Sequence, residues 1–568
     1  MKSFYTIKRY ITVFIIILFG INPDIYAQFH IRKHEVRAVW LTTIGGLDWP
    51  HSYARSERSI ASQKQELCNI LDRLKAANIN TVLLQTRIRG TVIYPSSYEP
   101  WDGCLSGIPG ISPGYDALEF ATEECHKRGM ELHAWVVTIP VGKWNKEGCK
   151  KLRAKYPSMI KRIGDEGYMN PERKETGEYL AKICREITEN YDIDGIHLDY
   201  IRYPETWQGP IDRVHGRDNI TRIVRQISNT VKTVKPWVKM SCSPIGKYDD
   251  LTRYRSYGWN ARTKVCQDAQ AWLRDGLMDE LFPMMYFRGD QFYPFALDWK
   301  ENDYGRIISI GLGIYFMSPK EKDWDLDVIT RQMNVLRSQG MGHAYFRSKF
   351  FTDNLKGIYD IAKTDIDNYP ALIPAMTWQS SVKPMPPMQL TVTVTDEGDL
   401  LAWSGAQDMS DGPYLMYNIY SSTEYPVNTE DARNIIAARY RNESAIIPRK
   451  KHSAPLYYAV TATDRYGNES NPATIPSNEE TDLKSCLPLL ENNGITLQAP
   501  DKGKVLDADY LMIETLQGNI IATRPYCETG IDISEIPEGM YVLKSLGRKG
   551  IGHRMGHFTI KRPHNRQY

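Results

Sequence analysis

The stretch Asp194-Gly-Ile-His-Leu-Asp-Tyr-Ile-Arg-Tyr-Pro204 decides the fold. As a strand it places Ile196 and Leu198 on one face, and His197 and Asp199 on the other. The proline that closes the stretch cannot continue a ladder, so the chain turns there. A helix-covered strand is normally apolar throughout. A histidine and a carboxylate just before a turn therefore indicate either the chemistry of an α/β enzyme or a buried hydrogen bond that orders the strand end.

Around this stretch, apolar strand patterns alternate with helical patterns. The eight predicted strands are residues 36–42, 81–87, 130–137, 194–204, 238–243, 281–287, 307–314 and 342–347. Helices are predicted at residues 57–77, 116–128, 176–190, 218–234, 261–275, 324–337 and 354–362, with a weaker pattern between the sixth and seventh strands. This order predicts an α/β fold, a (β/α)8 TIM barrel with enlarged loops. An open doubly wound sheet is the alternative, and it is less favoured because no Gly-rich nucleotide loop follows a strand.

The N-terminal residues predict export. Residues 1–27 combine a basic start, an apolar run and a plausible cleavage site, which is the pattern of a signal peptide. We therefore expect an exported protein, in the periplasm or on the cell surface of a Gram-negative bacterium. No integral membrane segment is expected after signal removal, because no later apolar run approaches membrane length.

The C-terminal third predicts two small all-β domains. The barrel is assigned to residues 30–372, and the prolines of residues 373–387 indicate a stiff linker. Short alternating runs at residues 388–476 predict a β-sandwich, and its residues 457–470 resemble the closing strands of a fibronectin type III domain. Residues 484–568 predict a C-terminal β domain, and its residues 531–544 resemble the C-terminal modules of exported proteins in Bacteroidetes-type bacteria.

Composition excludes several classes of function. A net charge of +3 over 568 residues is too small to indicate a nucleic-acid partner. The nine cysteines form no C-x-x-C pair, so neither a disulfide framework nor a metal site is predicted, and no cofactor fingerprint is present. The 35 tyrosines and 13 tryptophans, against 14 phenylalanines, suit sugar rings, which have apolar faces and hydroxyl rims.

The same alternation on the other strands adds polar residues near their C-terminal ends, where barrel active sites lie. The residues predicted to point inward or upward are Arg87, His133, Trp135, His197, Asp199, Tyr286 and Tyr345. A core must satisfy each buried polar atom, so this many together indicate a functional cluster.

Carboxylate chemistry between aromatic platforms is what glycoside hydrolysis requires. One group protonates the leaving oxygen, and another attacks the anomeric carbon or activates water. Asp199 is predicted to be the nucleophile or base, with Arg87, His197 or Arg202 keeping it ionised. The loop candidates for the acid are Asp290, Glu205 and Asp48, and a histidine is the alternative.

Several motifs resemble the tenth glycosyl-hydrolase-like family. They are residues 35–43, Asp48-Trp-Pro50, Gln85-Thr-Arg87, Tyr94-Pro95, Leu132-His-Ala-Trp135, residues 194–204 and Phe282-Pro-Met-Met-Tyr286. The resemblance spans roughly residues 30–370 and implies a (β/α)8 barrel and a bacterial cell-envelope glycosidase. Characterised relatives cleave peptidoglycan glycan strands that have been stripped of their stem peptides. The residues expected to bind substrate are Asp48, Trp49, Arg87, Tyr94, His133, Trp135, His197, Tyr200, Arg202, Tyr286 and Tyr345.

Two positions depart from the family pattern. Tyr200 stands where relatives often carry a second Asp, and Met285 stands where a Gln is common. If that second Asp is the acid in relatives, catalysis by this chain needs another proton donor.

Three hypotheses of function follow. The leading one is an exported glycoside hydrolase that cleaves bacterial glycan strands, peptidoglycan or a related polysaccharide. The alternatives are a non-catalytic glycan-binding barrel and a metal-dependent polysaccharide hydrolase or deacetylase using His133, His197 and Asp199 as ligands. Substitution of Asp199 by Asn separates the first two, because binding survives it and turnover does not, and a chelator tests the third.

Overall fold

The computed structural model describes residues 31–207, 210–448, 456–474, 489–498, 508–515, 520–547 and 552–562. The predicted signal peptide lies outside these residues. The chain divides into two compact units, Met1–Ser381 with Glu430–Arg433, and Val382–Thr429 with Asn434–Tyr568. In the described part of the chain, no helix has the length and apolarity needed to cross a membrane.

The first unit is a closed barrel of eight parallel strands. These are β1 (Arg37–Leu41), β2 (Thr81–Arg87), β3 (Glu131–Val137), β7 (Gly195–Asp199), β8 (Lys239–Cys242), β9 (Glu280–Leu281), β10 (Ile307–Leu312) and β11 (Gly342–Tyr345). The loop after β3 carries a separate three-stranded antiparallel sheet of β4 (Pro140–Lys143), β5 (Ile160–Ile163) and β6 (Glu166–Met169). The barrel order β1-β11-β10-β9-β8-β7-β3-β2 confirms the predicted (β/α)8 fold.

Helices follow the strands around the barrel. The α-helices are α1 (Glu57–Ala76), α2 (Gly103–Ser106), α3 (Ala117–Lys127), α4 (Glu147–Lys155), α5 (Lys174–Asn190), α6 (Arg213–Val234), α7 (Ala261–Lys264), α8 (Ala269–Arg274), α9 (Tyr293–Glu301), α10 (Leu326–Ser338), α11 (Ser348–Thr352) and α12 (Ile358–Ile361). The predicted helix 261–275 is broken into α7 and α8, since Cys266 between them has a left-handed φ of 61°.

Strand alternation separates the two faces of the barrel wall as predicted. Ile196 and Leu198 belong to the core between the wall and the helices. Trp40, Leu83 and Trp135 belong to a second cluster that fills the interior. The period of two along each strand therefore decides which side chains enter the barrel.

A polar layer lies inside the barrel near the start of the strands. Lys239 Nζ donates to Glu131 Oε1 at 2.6 Å, and Ser309 Oγ donates to Glu280 Oε1 at 2.7 Å. Glu280 is fully buried, and burial raises its pKa to about 8. Glu280 is thus an interior group of the barrel rather than a cap of the sixth strand.

Two aspartates at the lower ends of strands have structural roles. Asp194 Oδ2 accepts hydrogen bonds from Leu132 N and His126 Nε2, at 2.9 and 2.8 Å. Asp279 accepts from Met240 N and from Trp378 Nε1, both at 2.8 Å. Each carboxylate caps the start of a neighbouring strand.

Two predicted strands are shorter than expected. The stretch 194–204 is a strand only as far as Asp199, because Tyr200 has a left-handed φ of 52°. The predicted strand 281–287 contains only Glu280–Leu281, because Pro283 has no N–H to donate to a ladder. Beyond Pro283, the amides of residues 285–287 bond back to the carbonyls two residues earlier.

The second unit contains antiparallel sheets only. Its first sheets, of three and four strands, are β12 (Met388–Thr395), β13 (Gly398–Ser404) and β16 (Ser444–Ile447), then β14 (Met416–Ser422), β15 (Ile435–Tyr440), β17 (Tyr457–Thr463) and β18 (Ala473–Thr474). The C-terminal residues form β19 (Thr496–Leu497) with β22 (Ile531–Asp532), and a sheet of β20 (Ala508–Thr515), β21 (Ile520–Pro525), β23 (Gly539–Gly547) and β24 (Gly552–Ile560). These sheets confirm the predicted all-β architecture, and the fibronectin type III assignment stays a prediction.

Candidate active site

Asp199 lies at the C-terminal end of β7, where three donors hold its carboxylate. Trp135 Nε1 donates to Oδ2 at 3.2 Å. Ser243 Oγ and the amide of Tyr200 both donate to Oδ1, at 2.9 and 2.7 Å. The carboxylate is only 6% exposed. One lone pair of Oδ2 is left for a substrate atom or a water.

Burial and the local charges act on Asp199 in opposite directions. Burial is the largest influence and raises the pKa of Asp199. The Arg202 guanidinium, the Ser243 hydroxyl and the Tyr200 amide lower it by favouring the ionised form. The net pKa is raised, so the ionised carboxylate is a stronger proton acceptor than an exposed aspartate.

Arg87 supports this strand end from outside the cavity. Its guanidinium donates to both oxygens of Glu99, at 2.8 and 2.7 Å, and to the carbonyls of Val137 and Thr138. Thr138 in turn donates from its amide and its hydroxyl to the Asp199 carbonyl, at 2.9 and 2.8 Å. The predicted role of Arg87 in binding substrate is therefore wrong, since it is fully buried and its donors are occupied.

Aromatic side chains form a wall beside Asp199. The ring of Tyr286 lies 5.6 Å from that of Tyr315 and 5.5 Å from that of Phe346. Trp40 packs against Phe346 at 5.8 Å, and Tyr200 packs on the same interior cluster. The Tyr286 hydroxyl is buried and has no hydrogen-bond partner among the described residues. An unpaired buried hydroxyl beside a carboxylate is free to bind a ligand oxygen.

The turn after β7 adds a second carboxylate. Arg202 stacks over the Tyr200 ring at 4.2 Å and donates to Glu205 Oε1 at 2.9 Å. Within the described chain, Arg202 Nη1 is buried without a partner. Glu205 keeps 32% of its side chain exposed. Asp199, Tyr200, Arg202 and Glu205 therefore form one contiguous polar group.

Asp290 is not part of this group. It lies on a 3-10 helix, Gly289–Gln291, in the loop after β9, and its side chain is exposed. Of the three loop candidates for the acid, Glu205 is the one linked to Asp199: it accepts from Arg202, whose charge acts on the Asp199 carboxylate.

Three residues of the motifs near the N-terminus do not face the cavity. Asp48 is buried, and its carboxylate accepts from Thr42, Arg347 and the Lys349 amide. Trp49 is fully buried with its indole N–H donating to Gln63 O at 2.9 Å, and the buried Tyr94 hydroxyl donates to Glu186 at 3.1 Å. The predicted substrate contacts of Asp48, Trp49 and Tyr94 are wrong, because their polar atoms already have protein partners.

The two histidines lie below the site. Trp40 Nε1 donates to His197 Nε2 at 3.3 Å, so Nδ1 carries the proton and bonds Ser241 Oγ at 3.0 Å. Burial lowers the pKa of His197 well below its usual value. His133 Nε2 bonds Glu131 at 3.0 Å. Both side chains are fully buried. The prediction that His133 and His197 bind substrate is therefore wrong.

The same geometry does not support the hypothesis that His133, His197 and Asp199 bind a metal ion together. Both ring nitrogens of His197 are engaged, and His133 turns toward Glu131 rather than Asp199. Among the residues that the structure describes, no group of three or more histidine, cysteine, aspartate or glutamate side chains is placed to bind one ion.

Tyr345 points to the helix side of the wall. Its hydroxyl donates to Asp367 Oδ2 at 3.1 Å, and its ring stacks on Phe351 with centroids 4.4 Å apart. The prediction that Tyr345 faces the cavity is therefore wrong.

Three residues of the site were not predicted. Ser243 follows β8 and bonds Asp199, and alternation along residues 239–243 places it on the inner face, a signal that could have found it. Tyr315 lies in the loop after β10, where no periodic pattern indicates its direction. Phe346 follows β11 inside the predicted strand 342–347, and it shares the inner face with Ala344, a signal that could have found it.

Comparisons with known proteins agree with a glycosidase-like barrel. The family model described as Glycosyl hydrolase-like 10 matches residues 35–212 and 206–304. Glycosyl hydrolase YngK of Bacillus subtilis (strain 168) is 29% identical over 509 residues, covering 82% of this chain and 97% of that protein. Glycosyl hydrolase DigH of Escherichia coli (strain K12) is 28% identical over 294 residues, covering 45% of this chain and 66% of that protein.

Among solved structures, the PgaB (BpsB) glycoside hydrolase domain from Bordetella bronchiseptica matches at 14% identity with a TM-score of 0.39. The match covers 59% of this chain and 98% of that one. A likeness of this size adds nothing to the assignment. The sequence matches to glycosyl hydrolases and the closed parallel barrel together support a function of the glycoside hydrolase type.

Proposed function

We propose that this protein is an exported glycoside hydrolase that cleaves bacterial glycan strands, peptidoglycan or a related polysaccharide. The observation that carries the proposal is the buried Asp199 carboxylate, held by three donors beside an aromatic wall with one lone pair left open. A sugar ring stacks on such a wall while its anomeric carbon lies near the carboxylate. The names of the similar Bacillus and Escherichia proteins support the reaction class.

Asp199 acts as the nucleophile or the base. Its three donors hold the carboxylate in one orientation, and its raised pKa makes the ionised form a good proton acceptor. The open lone pair of Oδ2 either bonds the anomeric carbon or takes the proton of the attacking water. The Tyr286 hydroxyl and Arg202 Nη1 are free to bind sugar oxygens beside it.

Glu205 is the acid in this proposal. It is partly exposed and stands next to Asp199 through Arg202. Its proton passes to the glycosidic oxygen as the bond to the anomeric carbon breaks. If the second Asp that relatives often carry is their acid, Glu205 takes over that role in this chain, which has Tyr200 at that position.

Digestion of defined glycans tests the proposal. The protein is incubated with intact peptidoglycan and with glycan strands freed of their peptides, and the released fragments are identified by mass. We expect release of glycan fragments by the native protein, and loss of release with retained binding for Asp199→Asn. If neither substrate releases a fragment, the proposed substrate is rejected, and binding without release supports a non-catalytic glycan-binding barrel.

The acid is tested with Glu205→Gln and Asp290→Asn. Loss of a general acid lowers turnover of a natural glycan by about 100-fold or more. The same loss has little effect on an aryl glycoside whose leaving group needs no proton. We expect this pattern for Glu205→Gln and near-native turnover for Asp290→Asn. The reverse pattern would assign the acid to Asp290.

A further inference from the structure

The loop after β8 presents three large aromatic side chains to solvent. Tyr254, Tyr257 and Trp259 are 48%, 63% and 43% exposed. They lie within six residues, on the face of the barrel where the strands end. Isolated exposed apolar residues need no explanation, but several in one short loop indicate a binding surface.

This loop is closed at its base and is not an extended connection. Ala261 N donates to Lys247 O at 2.8 Å, and Arg262 N donates to Tyr248 O at 2.9 Å. The side chain of Arg262 pairs with Asp249 at 2.9 Å across the same base. Residues 249–260 therefore form a compact loop whose ends meet, the kind that is often functional.

A buried lysine holds the middle of the loop from below. Lys247 is fully buried, and its Nζ donates to Tyr257 O at 2.9 Å, to Ser256 Oγ at 3.3 Å and to the Gln291 side chain. Burial lowers the pKa of Lys247. None of these acceptors is a carboxylate, so the charge is buried without an ion pair, at a cost in stability.

Gln291 completes the support from the loop after β9. Its Nε2 donates to Arg255 O at 2.8 Å, and its Oε1 accepts from Tyr257 N at 3.4 Å. Two buried or half-buried polar side chains thus fix the backbone at residues 255–257. The aromatic side chains are held in position while they remain exposed.

The loop is continuous with the Asp199 site. Ser243, which bonds Asp199, is followed by Ile245, which pairs with Met284, and by Gly246. A Cβ at Gly246 would lie 2.4 Å from Met284 O, so only glycine lets this segment pass so close to its neighbour. The same backbone leads directly to the buried Lys247.

From these observations we propose that residues 249–260 form an additional glycan-binding subsite. Tyr254, Tyr257 and Trp259 would stack on sugar units of the same strand that lie beyond the cleaved bond. The inference rests on the proposed function, because it assigns this surface to the substrate of the Asp199 site. It adds the residues that recognise a long chain rather than a single sugar.

Charge points to a glycan that carries carboxylates. Arg253 and Arg255 are exposed on the same loop, and neither forms an ion pair with a residue of the described chain. Guanidinium groups bind carboxylates through paired N–H donors. Alternating aromatic and arginine side chains fit pyranose rings that bear acidic substituents.

Binding is measured in the full-length Asp199→Asn protein, which separates binding from cleavage. The probe is a set of peptide-free peptidoglycan strands, with a neutral chitin oligosaccharide of equal length for comparison. We expect the Tyr257→Ala and Trp259→Ala double variant to bind both glycans about tenfold more weakly. Arg253→Gln with Arg255→Gln is expected to weaken binding of the carboxylate-bearing strands only.

Tyr304→Asn is the matched control. Tyr304 is 47% exposed, but it precedes β10 at the opposite face of the barrel. Asparagine suits its left-handed φ of 50°, so the exchange removes an exposed aromatic without strain. Unchanged affinity is expected for this variant, and an equal loss in both variants would overturn the proposal.

Lys247→Met tests the support of the loop. We expect weaker glycan binding together with faster tryptic cleavage after Arg253 or Arg255, because the backbone loses its anchor. If neither intact nor peptide-free peptidoglycan releases a fragment while the loop variants still lose glycan binding, the proposed reaction fails and the subsite stands. If the Tyr257→Ala and Trp259→Ala double variant bound glycan as tightly as the native loop does, the subsite would be rejected, whether or not the protein cleaves glycan.

Discussion

Burial and hydrogen bonding shift the pKa of the Asp199 carboxyl group in opposite directions. Burial favours the neutral acid, whereas Arg202, Ser243, Trp135 and the Tyr200 amide favour the ionised form. Each donor to the ionised form is worth about 1.5–3 kcal/mol, which corresponds to roughly one to two pKa units. The removal of a single donor should therefore be visible in a pH profile.

Ser243→Ala is expected to raise the pKa of Asp199, because the ionised carboxylate loses one donor. If Asp199 acts as nucleophile or base, the acidic limb of the kcat profile moves to higher pH by about one unit. Ser241→Ala is the control, since Ser241 bonds His197 and not Asp199. A shift of the alkaline limb instead would make Asp199 the acid.

Alternation predicted the inward direction of Asp199 and Trp135 correctly, and it failed at Arg87 and Tyr345 for different reasons. Between Gln85 and Arg87 the register of β2 against β3 shifts, so the period of two no longer predicts the direction of Arg87. Tyr345 lies on the outer face of the regular strand β11, opposite Ala344 and Phe346, and the prediction chose the wrong face. Its hydroxyl donates a hydrogen bond to Asp367, 22 residues later in the chain. A partner this distant in sequence leaves no local pattern.

At the scale of elements, β9 places a carboxyl group inside the barrel. Glu280 faces Lys239 and Glu131 in the polar interior layer, where burial raises its pKa from 4.5 to about 8. Between these two values the folded protein binds a proton that the unfolded chain has lost. Stability therefore falls as the pH rises from about 4.5 to 8.

Glu280→Gln should flatten this dependence. The glutamine keeps an acceptor for Ser309 but cannot ionise. In the native protein the Glu280 carboxyl lowers the free energy of unfolding by up to about 1.4 kcal/mol for each pH unit of this range, and the variant should lack that decrease. Urea unfolding at several values between pH 5 and 8 measures the slope. The exposed Asp290→Asn variant should keep the native slope. A native slope in Glu280→Gln would contradict the assignment.

Helices and strands with long periodic patterns were predicted close to their observed limits. The helix predicted at residues 57–77 is Glu57–Ala76, and the strand predicted at residues 81–87 is observed unchanged. The sixth strand was overestimated because Pro283 lies inside an apolar run. The run 281–287 is apolar because its side chains pack into both cores, with Phe282 in the interior cluster and Met285 between the wall and the helices.

At the scale of the whole molecule, positive charge is concentrated beside the site. Residues 140–174, which contain β4, β5 and β6, carry ten lysines and arginines and four acidic residues, although the chain as a whole is only +3. Lys161 lies 4.1 Å over the Trp207 ring, and Glu166 is 3.8 Å from Arg89. This basic segment therefore flanks the turn that carries Arg202 and Glu205.

Binding of an anionic glycan is expected to weaken severalfold when the salt concentration is raised from about 0.05 to about 0.5 M. Over this range the Debye length shortens to a few ångströms, so salt screens the attraction between the basic segment and the glycan. A neutral chitin oligosaccharide should show little change, because stacking carries its affinity. Equilibrium binding to the Asp199→Asn protein at both salt concentrations provides the measurement. If both glycans showed the same salt dependence, the basic segment would make no electrostatic contribution to binding of the anionic glycan.

The short strand β9 has a consequence for how the barrel moves. Above Glu280–Leu281, the chain still bonds β8 and its extension through Phe282 N to Cys242 O and Met284 N to Pro244 O. It bonds β10 through Gly311 N to Pro283 O and Met285 N to Gly311 O, one residue before Tyr286. By contrast, β7 pairs along its whole length with β3 and nearly all of it with β8. Local opening costs least where few backbone bonds cross. Asp199 thus stands on a strand that is paired on both sides, while Tyr286 stands just past the last crossing bonds of its segment, where the wall adjusts at the least cost as chains of different bulk enter.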